Sequence, residues 1–246
     1  MGDFMNDDMS NIAYTREYLE KFLDAYQKPL SPGCSVEEER QDFGNGISVL
    51  SKTSRYIYYR ENSQFEAHLS RSENIVFRNG KEIYSFKTID DDSRCKVFTH
   101  QNGHDYLFFK KDLYGYSILD LTDMRDFDYF PAASFPTGET FIWCEPFYNP
   151  INNIVAVDGC IWAGPYGIIL ADFTDPINSS RQIEASGYME QFYSKNYYDF
   201  TFRDWNGTDL ILWNGTGLFP ERDENAEQKI IPSNEYMTWF KKDNNE

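Results

Sequence analysis

Tyr114-Gly115-Tyr116-Ser117-Ile118-Leu119-Asp120-Leu121-Thr122-Asp123 aligns without a gap on Tyr166-Gly167-Ile168-Ile169-Leu170-Ala171-Asp172-Phe173-Thr174-Asp175, and the two share Tyr, Gly, Asp, Thr and Asp at an offset of 52. Upstream, Asp105-Tyr106-Leu107-Phe108-Phe109 parallels Asn153-Ile154-Val155-Ala156-Val157 at an offset of 48, so the second copy carries extra residues around Ala163-Gly164-Pro165. A repeat of about 45 to 50 residues with about four strands has the size of one β-propeller blade. Weaker copies are expected from Ile47 to Thr88 and from Phe200 to Ile231, which makes about four units. Inside the decamer, Gly ends one strand and the aliphatic run forms an inner strand. Asp-x-Thr-Asp then caps the next turn through side-chain to backbone hydrogen bonds.

Turn chemistry points the same way. Asn-Gly or Asp-Gly occurs at 45, 79, 102, 158, 206 and 214, and these dipeptides favour the positive φ of tight hairpin turns. Hairpins are expected around Asn79-Gly80, around Asn102-Gly103, and around Asp158-Gly159, where Ile154–Val157 would return as Cys160–Trp162. The fold class is therefore mainly β: repeated antiparallel β-units, small and propeller-like with about four blades, with one N-terminal helix. A β-sandwich or an open stack of sheets is the alternative, because the His and Trp-Asp signatures of WD40 blades are missing. The helix is placed at 11–27, with Ile12, Leu19, Phe22, Leu23 and Tyr26 as its apolar stripe and Ser10 or Asn11 as its N-cap. Residues 1–46 are read as this helix plus an acidic linker docking on the body, and 47–246 as a single repeated-β domain.

Composition limits the partners. Lys and Arg number 23 against 40 Asp and Glu, a net charge of −17. No basic run exceeds Lys110-Lys111 or Lys241-Lys242, so the phosphate backbone of a nucleic acid has no face to meet. The acidic N-terminus does not read as a signal peptide, and no apolar run reaches the roughly 18 residues of a membrane span. The expectation is a soluble, cytoplasmic protein whose four cysteines, Cys34, Cys95, Cys144 and Cys160, are reduced thiols without CxxC spacing.

The candidate chemistry is sparse. Cys95, His100 and His104, with His68 or Cys34, would be a zinc set, but strand parity sends 95 and 100 to opposite faces. Asp90-Asp91-Asp92 and the series Asp120, Asp123, Asp126, Asp128 lack the ligand order of a calcium loop. Glu139, Glu145 and Asp158, near Trp143 and Trp162, are the acids a glycosidase would need. No metal, no cofactor and no catalytic residue is assigned.

The surplus that remains is aromatic: 5 Trp, 18 Tyr and 20 Phe. Tyrosines beside turns, such as Tyr114, Tyr116, Tyr148, Tyr166, Tyr188, Tyr193, Tyr197 and Tyr198, are expected to reach the surface. Trp205 and Trp213 each precede an Asn-Gly-Thr turn. Tyr114, Tyr166, Trp205 and Trp213 are the expected binding residues. Aromatic anchors in an acidic field suit a basic protein partner. The sequence thus favours a non-enzymatic binding protein, similar in gross composition to small acidic proteins that neutralise toxins or nucleases, bacterial immunity proteins among them. The alternative is a carbohydrate-binding or glycoside-hydrolysing β protein.

Overall fold

The computed structural model describes residues 8–27, 35–59, 66–89, 95–161, 166–178, 181–193, 200–214 and 227–242. Cys34, Asp90-Asp91-Asp92, Trp162, Tyr197 and Tyr198, and the side chains of His68 and Tyr193, lie outside the described residues. Four antiparallel sheets follow one another along the chain. The first holds β1 (Ser35–Gly44), β2 (Ile47–Tyr59), β3 (Glu66–Arg78) and β4 (Lys81–Thr88). The second holds β5 (Lys96–Thr99), β6 (Asp105–Phe109), β7 (Tyr116–Asp120) and β8 (Arg125–Tyr129). The third holds β9 (Phe141–Asn149), β10 (Ile154–Ile161), β11 (Tyr166–Asp172) and β12 (Gln182–Glu184). The fourth has three strands, β13 (Phe200–Asn206), β14 (Asp209–Asn214) and β15 (Gln228–Ile231). In each sheet, spatial order equals chain order.

The repeated decamers occupy matching places, since β7 and β11 are each third in a four-stranded sheet. Their local bonds match too. Asp120 Oδ1 accepts from the Thr122 amide at 2.8 Å, and Asp172 Oδ1 from the Thr174 amide at 2.9 Å. Leu121 N donates to Asp105 O, and Phe173 N to Asn153 O. The acids common to both copies are turn caps, as the spacing predicts.

Several expectations need correction. Asp158-Gly159 is no hairpin turn, because β10 runs through it and a bulge in β9 places Asp158 opposite Glu145 and Gly159 opposite Trp143. Gly159 is required by close approach instead: a Cβ there would sit 2.1 Å from Ile142 O and 2.3 Å from the Phe141 ring. By contrast, Asn45 and Asn79 take φ of 49° and 50° in the β1–β2 and β3–β4 turns, as Asn-Gly chemistry demands. Part of the expected acidic linker is strand β1, whose Glu37-Glu38-Glu39 run is exposed. A charged edge strand shows no apolar alternation from which to read it. Beside the expected helix, α1 (Arg16–Gln27), the described residues hold two more, α2 (Ala185–Tyr193) and α3 (Ser233–Lys242).

Contacts divide the chain into two compact units. Unit 1 comprises Met1–Val97, Leu107–Leu119 and Asp128–Gly138; unit 2 comprises Phe98–Tyr106, Asp120–Phe127 and Glu139–Glu246. In unit 2 the core joins Ile168 and Leu170 to Tyr188 and Met189 of α2, Leu210 and Leu212, and Tyr236, Trp239 and Phe240 of α3. In unit 1, Tyr18 of α1 packs on Phe130 at a centroid distance of 4.4 Å, beside Ala13.

Candidate functional site

The four aromatics nominated from sequence are largely spent on packing. Trp213 is only 7% exposed, too enclosed for a surface anchor; the Arg203 guanidinium lies 5.6 Å from its ring centroid. Trp205 is half-buried against the unit 2 core and donates its indole N–H to Phe147 O at 3.2 Å. Tyr114 packs on the Ala13–Tyr18–Phe130 cluster, and Tyr166 is half-buried in β11. Among the other turn tyrosines, Tyr116 and Tyr188 are buried, so burial overrides the expectation of exposure. Tyr114 belongs to unit 1 and the other three nominated residues to unit 2.

The side chains of His100 and His104 go to different partners. His100 is buried, with Nε2 bonded to Phe173 O at 2.9 Å and Nδ1 accepting from the Asn102 amide. His104 Nδ1 instead meets Asp120 Oδ2 at 2.8 Å. His104, Asp120 and Asp123 place their ligand atoms within 4.8 Å of one another. Asp120, however, is already engaged: Oδ1 takes the Thr122 and Asp123 amides, and Oδ2 takes His104. The same cap recurs at Asp172, so the geometry is that of a braced turn.

Of the acids that a glycosidase would need, Glu139 is exposed, while Glu145 and Asp158 are cross-strand partners. Asp158 Oδ1 accepts the Phe202 amide at 2.7 Å. Burial pushes the Asp158 carboxyl up to about 7; the Phe202 amide opposes the shift and the nearby Glu145 charge adds to it. Trp143 is almost fully buried and offers no sugar platform.

An open concavity of about 610 Å³ lies within unit 1, beside α1. The helix begins at Thr15, whose Oγ1 accepts from the Tyr18 amide at 3.4 Å, an N-cap to N3 bond. Asn11, expected as the cap, fixes the preceding loop by accepting the Ala13 and Phe130 amides. Tyr18 and Tyr26 form the buried face of α1, which leaves Leu19 and Leu23 each 45% exposed. The far end of the helix is held by Arg71, which donates to Tyr26 O, and by the Tyr26 hydroxyl, which donates to Glu73 Oε1 at 3.1 Å. Arg71 thereby meets a last-turn carbonyl that the helix itself leaves open. Beneath runs a row of register partners with alternating charge, Glu38, Lys52, Glu73 and Lys87.

Leu19, Phe22 and Leu23 of α1 line the groove together with Ile75 and Phe86 of the sheet. Its lining charges are Glu73, Glu82, Asp112 and Asp128 against Lys87 and Lys111. Asp128 pairs with Lys111 at 2.7 Å and accepts the Ser117 hydroxyl at 2.6 Å. Counting that pair as neutral, the lining keeps an excess of acids over lysines. Burial raises the Tyr18 phenol pKa, and the charges of Asp112 and Asp128 raise it further.

No family model matches this chain. Over 100 residues it is 29% identical to an uncharacterized protein, R762, of Acanthamoeba polyphaga mimivirus; that stretch is 39% of this chain and 39% of the viral protein. The chain thus spans well under half the length of this curated relative. No solved structure matches it. Sequence reasoning did single out Leu19 and Leu23, but as an inward stripe. Tyrosine spacing at 18, 22 (as Phe) and 26 was the competing signal for the buried face.

Proposed function

We propose that this chain is a non-enzymatic binding protein that engages a basic protein partner through the acidic groove beside α1. The supporting observation is that groove, a largely apolar concavity whose lining carries Glu73, Glu82, Asp112 and Asp128 against Lys87 and Lys111, on a chain of net charge −17. Cytoplasmic residence belongs to the same proposal. Among the described residues, no helix is long and apolar enough to cross a membrane. The test is affinity capture from native cytosol at low salt, followed by elution with rising NaCl. A basic protein that binds at low salt and is released as screening grows supports the proposal. Capture of acidic or neutral proteins alone, with no dependence on salt, overturns it.

A second reading, glycoside hydrolysis, is favoured by the cross-strand pair Glu145 and Asp158, two acids opposed in register, since that chemistry needs a pair of carboxyl groups. Hydrolysis of a glycan panel that disappears in Asp158→Asn would replace the binding proposal.

A further inference from the structure

We propose that the groove receives a large apolar side chain carried on a short basic segment of the partner, with Leu19 and Leu23 as its anchors; this inference rests on the basic-partner reading above. Tyr18 and Tyr26 dock α1 through its buried face, whereas Leu19 and Leu23 keep 45% of their surface open. They stand one turn apart on the same helix face, open to the groove. Covering them and Phe86 with an incoming apolar group removes further apolar surface from water, worth about 25 cal/mol per Å². The basic residues flanking that group would meet the carboxylates of the lining, Glu73, Glu82 and Asp112 among them.

That charge set selects the occupant. An anionic ligand would face a lining of four acids against two lysines, and a second copy of this chain would bring its own −17. A basic segment with an apolar residue at its centre satisfies both the walls and the rim. It also fits the usual anatomy of an interface, an apolar centre inside a polar margin.

The experiment uses the full chain and three synthetic peptides of equal length: leucine–lysine, serine–lysine and leucine–glutamate. Binding is followed by calorimetry and by NMR shifts of the Leu19 and Leu23 methyls. The leucine–lysine peptide is expected to bind at least tenfold more tightly than the serine–lysine peptide, and to shift those methyls. Leu23→Asp is expected to abolish that tenfold gain, even though it adds a charge that attracts lysine. Ile151→Asp, an exposed position in unit 2, leaves the gain intact. The residue is exposed, so Leu23→Asp should fold; if circular dichroism shows otherwise, Leu23→Ser and the methyl shifts decide in its place. Equal binding of the two lysine peptides, or an unchanged gain in the Leu23 variant, overturns the groove inference while the charge-based reading stands. Preference for the leucine–glutamate peptide, or no binding of either lysine peptide at low salt, overturns the basic-partner reading itself.

Discussion

Asp158 shows how one position can carry a pH dependence. Its carboxyl is pushed up to about 7, first by burial, with the Glu145 charge adding to the shift and the Phe202 amide opposing it. The unfolded chain releases that proton near the ordinary value of about 3.9. The folded form therefore binds the proton more tightly, and its contribution to stability is complete below about pH 4 and lost as pH rises through 7. Asp158→Asn keeps an acceptor for the Phe202 amide and has no charge to bury. We expect it to match the parent at pH 4 and to exceed it at pH 9 by on the order of 1–3 kcal/mol, read from urea midpoints at both pH values. Equal midpoints at pH 9 would show that the ionised carboxylate is tolerated. The His104–Asp120 pair has the opposite profile at its acid edge. The bond to Asp120 raises the His104 pKa, and that of Asp120 is lowered because its hydrogen bonds from His104, Asp123 and Thr122 outweigh burial. The pair stabilises the fold only between the two values, and fails when Asp120 gains a proton or His104 loses one.

Among the elements, α1 has the sharpest local logic. Thr15 caps it, Tyr18 and Tyr26 seat it, and Arg71 closes its last turn. Thr15→Ala leaves the Tyr18 amide without its side-chain acceptor and should cost about 1 kcal/mol, measured as a lower denaturant midpoint. Thr15→Ser should restore most of that loss; an undiminished Ala variant would mean that the cap contributes nothing. The presence of this helix was legible from three- and four-residue spacing, but its buried face was not. Leucine outranks tyrosine in apolarity, yet the tyrosine rings find Phe130 and the cations of β3 and β4, and this decides the rotation of the helix. In α2 and α3 the signal was present but short: Ala185, Tyr188, Met189 and Tyr236, Trp239, Phe240 each give one i, i+3, i+4 set and are buried. Strand β1 gave no signal, because an exposed acidic edge has no inward face to alternate with. Repetition made β7 and β11 legible, since an identical cap needs identical residues at identical spacing. The groove was not legible, because it depends on which of two adjacent helix faces the sheet leaves uncovered.

At the scale of the whole molecule, 40 acids against 23 bases repel one another in the folded state more than in an expanded one. Raising NaCl from low to near-physiological concentration should therefore raise the thermal midpoint, by roughly a few degrees. Scanning calorimetry at the two salts checks this, and an unchanged midpoint would mean that local pairs already offset the repulsion. The number of sheets could be read from turn punctuation and repeat length, but the two-unit division could not, because it is made by contacts between segments far apart in the chain. Every sheet lists its strands in chain order, and this bears on how the protein is made. No sheet has to wait for a distant strand, so each hydrogen-bonded ladder can close soon after its own stretch of chain leaves the ribosome, and the loop-closure entropy at each step stays small. Synthesis from the N-terminus would then deliver the β1–β4 sheet first and the β13–β15 sheet last, and a chain stalled between sheets would carry finished sheets and few unpaired strand edges seeking a partner.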